Sequence, residues 1–141
     1  MFRKILVGLD GSEAAGHALR LALELARLGH AREVRVLSVH ERLRAYAGTV
    51  SEIESEAAHQ TAYFAELQGS AKEMANTMGV QLETEILAGH PAELLARRAQ
   101  EDDFDLIVIG HTGHSRLHHL FLGSTADRVV ERAGCSVLVV R

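Results

Sequence analysis

Five short apolar runs alternate with four longer segments of helical period, and this alternation narrows the possible folds more than any other feature of the chain. The runs are Ile5 to Leu9, Val34 to Val39, Leu82 to Leu87, Leu106 to Ile109 and Val137 to Val140. Three of them carry Val, Ile and Leu on both alternating faces. A strand that is apolar on both faces is buried on both, as in a parallel sheet covered by helices. The first helical segment opens at Ser12, a good N-cap, and carries Leu19, Ala22, Leu25, Ala26 and Leu28 before Gly29 stops it. The second is expected to start at Ser51, with Glu54 completing a capping box. Its apolar stripe is Ile53, Ala57, Phe64, Leu67, Ala71, Met74 and Met78, and Gly79 closes it. The third begins near Pro91, a favoured first helical position, and runs through Leu94, Leu95 and Ala99. The fourth begins at Ser124 with Asp127 in the capping-box position, carries Val129, Val130 and Ala133, and stops at Gly134. The order β-α-β-α-β-α-β-α-β predicts a doubly wound α/β fold with right-handed crossovers.

With 141 residues and no linker, repeat or low-complexity tract, the expectation is one domain spanning 1–141. That length buries a core without disulfides, and the lone Cys135 has no internal partner, which fits a reducing compartment. The formal net charge of −4, with scattered basic residues, argues against a nucleic-acid partner. Met1-Phe2-Arg3-Lys4 runs straight into a strand-length apolar run, which is unlike a signal peptide, and no stretch approaches bilayer-spanning length. A cytoplasmic location without membrane association is therefore expected. The least regular segment, Glu41 to Val50, reads as a loop.

In open α/β sheets ligands bind beyond the carboxyl ends of the strands, where chain order reverses. The residues at those ends are Leu9-Asp10-Gly11-Ser12, Val39-His40-Glu41, Gly89-His90-Pro91 and Gly110-His111-Thr112-Gly113. The last continues to Gly123-Ser124-Thr125 at the start of the fourth helix. Glycines at a strand end let backbone N–H groups approach a phosphate, and a helix N-terminus adds free donors and a positive dipole end. The hydroxyls of Ser124 and Thr125 add further donors. Neither the P-loop pattern nor G-x-G-x-x-G is present. Two readings stay open on these residues alone: a phosphate cradle, or turn glycines with a helix-capping serine.

The spacing Gly110-x2-Gly113-x9-Gly123-Ser124 resembles the G-2x-G-9x-G-(S/T) signature of the ATP-binding branch of the universal stress protein family. The opening Lys4-Ile-Leu-Val-Gly-Leu-Asp-Gly-Ser12, the segment Gly89-His-Pro-Ala-Glu93 and the ending Cys135-Ser-Val-Leu-Val-Val-Arg141 are similar to that family too, so the resemblance covers the whole chain. It implies a Rossmann-like five-stranded parallel sheet in the order 3-2-1-4-5. It implies that Gly8 and Asp10 line the adenosine part of a pocket, that Val39 meets adenine through its backbone, and that Ile109 and Gly110 flank the ribose. Gly113, Gly123, Ser124 and Thr125 would hold the phosphates of ATP, with Mg²⁺; AMP or ADP would fit the same cradle. Gly8 stands where many relatives have Pro, and Ser136 also replaces a common Pro. The implied strand order makes Val137 to Val140 an apolar edge, and an exposed edge invites pairing with a second copy. A homodimer through this C-terminal strand is the expectation.

His111, His114, His118 and His119 fall on or beside the loop, but their spacing fits no standard structural zinc site and no Cys lies near. His111-Thr-Gly-His114 also spells H-x-G-H, a nucleotidyltransferase pattern that belongs after a first strand, not a fourth. Arg116 and Arg128 are either phosphate donors or surface charges, and Cys135 reads as a buried, inert thiol. No catalytic base stands out. The favoured function is thus a regulatory nucleotide-binding module of the stress-response type. The alternatives are a slow ATPase or autophosphorylating enzyme, and an interaction protein with a vestigial pocket.

Overall fold

The computed structural model describes residues 1–41, 49–113 and 122–141. Among them five strands alternate with four helices: β1 (Lys4–Gly8), α1 (Glu13–Gly29), β2 (Glu33–His40), α2 (Val50–Thr77), β3 (Leu82–Ala88), α3 (Pro91–Glu101), β4 (Leu106–Gly110), α4 (Ser124–Arg132) and β5 (Ser136–Val140). The sheet order is β3-β2-β1-β4-β5, as expected, and every pairing is parallel. None of the helices among the described residues is long and apolar enough to cross a membrane.

The alternation of side chains along the central strands divides the core in two. Ile5 and Val7 of β1 join Val34, Val36, Leu106 and Val108 beneath α1 and α2. Leu6 joins Leu37, Ile107 and Ile109 beneath α3 and α4. Each fully buried aliphatic side chain of this kind stabilises the fold by about 1.5–3 kcal/mol relative to exposure. The helices pack through small residues: Ala15, Ala18, Ala22 and Ala26 of α1 are all buried against the sheet. That permits close approach of the helix axis.

Three helix ends differ from the sequence reading. α2 is capped by Thr49, not Ser51: the Thr49 hydroxyl accepts from the Glu52 amide and the Glu52 carboxylate accepts from the Thr49 amide, both at 3.2 Å. The chain holds two overlapping capping boxes, and the helix adopts the upstream one. At the end of α1 the left-handed residue is His30 (φ 54°), not Gly29. Gly29 instead leaves room for Met1, whose sulfur would lie 2.7 Å from a Cβ there. α4 is capped by Gly123 in extended conformation with no side-chain cap, so Ser124 is its first helical residue and neither Ser124 nor Asp127 forms a capping box.

The 28 residues of α2 make a helix about 40 Å long. Its first buried side chain is Phe64, followed by Gln68, Ala71 and Ala75. Phe64 stands beside His40, the last residue of β2, so the turns before Phe64 project past the carboxyl end of the strands. Ile53 and Ala57, expected in the core stripe, are exposed for that reason. Gln68 anchors the packed half by donating to the Glu85 carbonyl of β3 at 2.8 Å.

Gly110 fixes how closely α1 meets β4. A Cβ on Gly110 would lie 2.7 Å from the carbonyl carbon of Ala14 and 2.8 Å from the amide nitrogen of Ala15. These are backbone atoms of a packed helix and cannot swing aside. Gly110→Ala is therefore expected to destabilise the fold by about 1–3 kcal/mol, the usual range for overpacking. Gly16, inside α1, has nothing within 4 Å of a Cβ. Gly16→Ala should stabilise by about 0.5–1 kcal/mol through helix propensity. Urea unfolding midpoints of the two variants, moving in opposite directions at constant m, check both.

Candidate functional site

The β1–α1 turn is held from two sides. The Leu9 amide donates to the Leu37 carbonyl at 3.0 Å, and the fully buried Ser38 hydroxyl donates to the Leu9 carbonyl at 2.7 Å. Asp10 follows at once, and its carboxylate accepts from the Ser12 amide at 2.9 Å. That is an Asx-type turn, which aims the next residues into α1. Gly11 takes a left-handed conformation (φ 88°) there, and Ser12 caps α1 by accepting from the Ala15 amide at 3.2 Å.

Across the sheet, β4 pairs with β1 through Ile5 with Leu106, Leu6 with Ile107 and Val7 with Val108. This brings the end of β4 beside Asp10. One carboxylate oxygen of Asp10 lies 3.0 Å from where a Cβ on Gly113 would stand. The loop from Gly110 to Gly123 is closed at its base by the Gly123 amide, which donates to the His111 carbonyl at 2.7 Å. The His111 amide in turn donates to Val140 of β5 at 2.7 Å. A Cβ on Gly123 would be tight, 3.1 Å from both the His111 carbonyl oxygen and Thr112 Cα, so the turn would have to give by a few tenths of an ångström. The signature glycines are thus neighbours in space although nine residues separate Gly113 from Gly123 in the chain.

These segments wall a cleft of about 730 Å³ at the carboxyl end of the sheet. All nine residues singled out from the sequence line it: Gly8, Asp10, Val39, Ile109 and Gly110 toward the strands, and Gly113, Gly123, Ser124 and Thr125 toward α4. The volume lies within the 300–1,000 Å³ typical of small-molecule sites. Ser12, Pro91 and Ser124, at the starts of three helices, all reach the cleft, so three positive dipole ends converge there. No Lys or Arg is among the described residues that line it. An anion bound here would be met by backbone amides, hydroxyls and helix dipoles, as at other helix-terminus anion sites.

The remaining candidates fall elsewhere. His114, Arg116, His118 and His119 lie outside the described residues. His111 is not part of the cleft lining, and its Nδ1 is buried without a hydrogen-bond partner. Arg128 is exposed on α4, away from the cleft. Cys135 is half-buried, and burial, with Asp105 nearby, pushes its thiol above the usual range. Such a thiol carries little thiolate. Among the described residues no group of three or more His, Cys, Asp or Glu is placed to hold a metal ion.

Sequence reasoning missed the wall contributed by α2. Gln60, Tyr63 and Phe64 line the cleft beside His40 and Glu41. No local motif marks them, because they reach the site only through the overhang of α2. The signal available was the length of α2 itself, whose helical pattern begins well before any residue that a strand could cover.

The family model described as the universal stress protein family matches residues 1–141. The universal stress protein MJ0531 of Methanocaldococcus jannaschii is 36% identical over 145 residues, covering 100% of this chain and 83% of that protein. Among solved structures, the universal stress protein UspA from Lactobacillus plantarum superposes with a TM-score of 0.88 at 29% identity, covering 98% of this chain and 97% of that one. The universal stress protein from Archaeoglobus fulgidus, solved in complex with dAMP, superposes with a TM-score of 0.63 at 27% identity, covering 98% and 97%. Matched over its whole length in sequence and in fold, the chain belongs to the universal stress protein family.

Proposed function

We propose that the cleft binds an adenine nucleotide, ATP in the first place, and that the protein acts as a nucleotide-dependent regulatory module. The observation that carries this reading is the convergence of both strand-end turns and the side-chain-uncapped start of α4 on one cleft. The dAMP complex of the Archaeoglobus fulgidus relative supports an adenine nucleotide as the ligand class. Gly113, Gly123, Ser124 and Thr125 would hold phosphates, while Gly8, Asp10, Val39, Ile109 and Gly110 would take the adenosine part. The donor set fits: glycine backbone, two hydroxyls and a helix N-terminus suit phosphate oxygens. Mg²⁺ would take most of its ligands from phosphate and water, with Asp10 the acid beside the loop.

A regulatory role is preferred to an ATPase because the described lining offers backbone amides and hydroxyls for phosphate but no Lys or Arg to meet the charge of a phosphoryl transfer. Hydrolysis of ATP that vanished in a Gly113→Val variant would reverse that preference. For assembly we propose a homodimer through β5, which ends the sheet with one side unpaired by any described strand. An open apolar edge of this kind is a template for a second copy.

Two measurements check these readings. Titration calorimetry should show ATP binding at near-physiological concentrations. Gly113→Val, which drives a side chain toward Asp10, should weaken it at least about tenfold, or ~1.4 kcal/mol. Ser124→Ala should weaken it several-fold, in line with ~0.5–1.5 kcal/mol for one hydrogen bond. No heat of binding in the wild-type protein would contradict the proposal. Sedimentation velocity should give the mass of a dimer, and a monomer at micromolar concentration would contradict the β5 interface.

A further inference from the structure

We propose that Tyr63 is the surface on which the base of the nucleotide rests, so that the cleft selects a nucleoside phosphate over a bare polyphosphate. The proposal rests on the reading of the cleft as a nucleotide site and goes further, assigning a recognition role to a residue outside the glycine signature.

Tyr63 belongs to the last turn of the α2 overhang, where the helix has no sheet to cover. It lines the cleft, yet 48% of it is exposed. Aromatic side chains are scarce in this chain, with no Trp, two Tyr and four Phe. Two of those six, Tyr63 and Phe64, stand side by side on one cleft wall, their ring centroids 5.5 Å apart. Phe64 is buried and lies parallel to the His40 ring, with centroids 6.2 Å apart and planes 12° from each other. It is therefore a fixed support, and Tyr63 is the ring left open.

The hydroxyl of Tyr63 reaches the β1–α1 turn, where a Cβ on Gly11 would collide with it. Gly11 is thus required twice, for its left-handed backbone and for the approach of Tyr63. The turn it belongs to carries Asp10, which faces Gly113. Sheet order places β2 and β4 on opposite sides of β1. The cleft accordingly has an aromatic end at β2 and α2, with Val39, His40 and Tyr63, and an amide-rich end at β4 and α4, with Gly113, Gly123 and Ser124. A planar heteroaromatic base suits the first end and phosphates the second. Stacking against a tolerant aromatic face is how proteins hold a base without a dedicated hydrogen-bond code.

The test compares ATP with inorganic tripolyphosphate by calorimetry in the full chain. Tyr63→Ala should weaken ATP about tenfold, given the usual worth of a base–aromatic stack, and leave tripolyphosphate unchanged. Tyr63→Phe should bind ATP as the wild type does. A second readout leaves Tyr63 in place. In a Tyr46→Phe background Tyr63 is the sole tyrosine, and its emission, corrected for nucleotide absorbance, should change with ATP and not with tripolyphosphate. Unaltered ATP affinity in Tyr63→Ala, an equal loss for both ligands, or silent Tyr63 emission while calorimetry reports bound ATP would overturn the role of Tyr63 alone. Wild-type protein that binds no ATP would overturn the nucleotide reading and this one together.

Discussion

The pairing of β1 with β4 is the constraint from which the rest of the molecule follows. Chain order runs outward from β1 to β2 and β3, then returns to place β4 on the other side. Right-handed crossovers then put α1 and α2 on one face and α3 and α4 on the other. At the point of reversal the turns after β1 and β4 diverge to opposite faces and leave a gap between them. The apolar residues Leu6, Val7, Ile107 and Val108 pay for this arrangement, since they are the ones buried where the two strands meet. Gly110 completes it by letting the first turn of α1 lie against the end of β4. The site is thus a consequence of topology, and its glycines serve the fold and the cleft together.

A cleft built in this way carries its electrostatics in the backbone. Helix starts at Ser12, Pro91 and Ser124 face inward, and the described lining lacks Lys and Arg. Fixed amides and dipoles are already oriented and need no long side chain to be ordered on binding. The same design ties the loop to the sheet edge. His111 accepts from Gly123 through its carbonyl and donates to Val140 through its amide, so the base of the loop and the end of β5 share one residue.

Element order and parallel pairing were legible because period and length left few alternatives, whereas the order of the strands in the sheet came from the family resemblance. The five apolar runs coincide with the five strands to within a residue at every end. The nine residues that the resemblance to the universal stress protein family implied as ligand contacts line one cleft. What could not be read was local competition and overhang. Thr49-x-x-Glu52 and Ser51-x-x-Glu54 are equally good capping boxes, and only the three-dimensional position of α2 selects between them. The sequence favours Ser124 as the cap, since Ser is a better cap than Gly in general. Here the amide of Gly123 is held by His111, which makes Gly123 the turning residue. Tyr63 lies outside the apolar stripe of its helix and no motif marks it, and its place at the cleft depends on how far α2 extends beyond β2.

The central claim is that a nucleotide sits across β1 with its phosphates at the start of α4. Amide chemical-shift mapping of the labelled protein during titration with ATP tests it most directly. Perturbations concentrated at Asp10 to Ser12, His40, Gly110 to Gly113 and Gly123 to Ala126 are the predicted result. Saturating ATP that left those amides unmoved, or that shifted a different surface, would contradict the account.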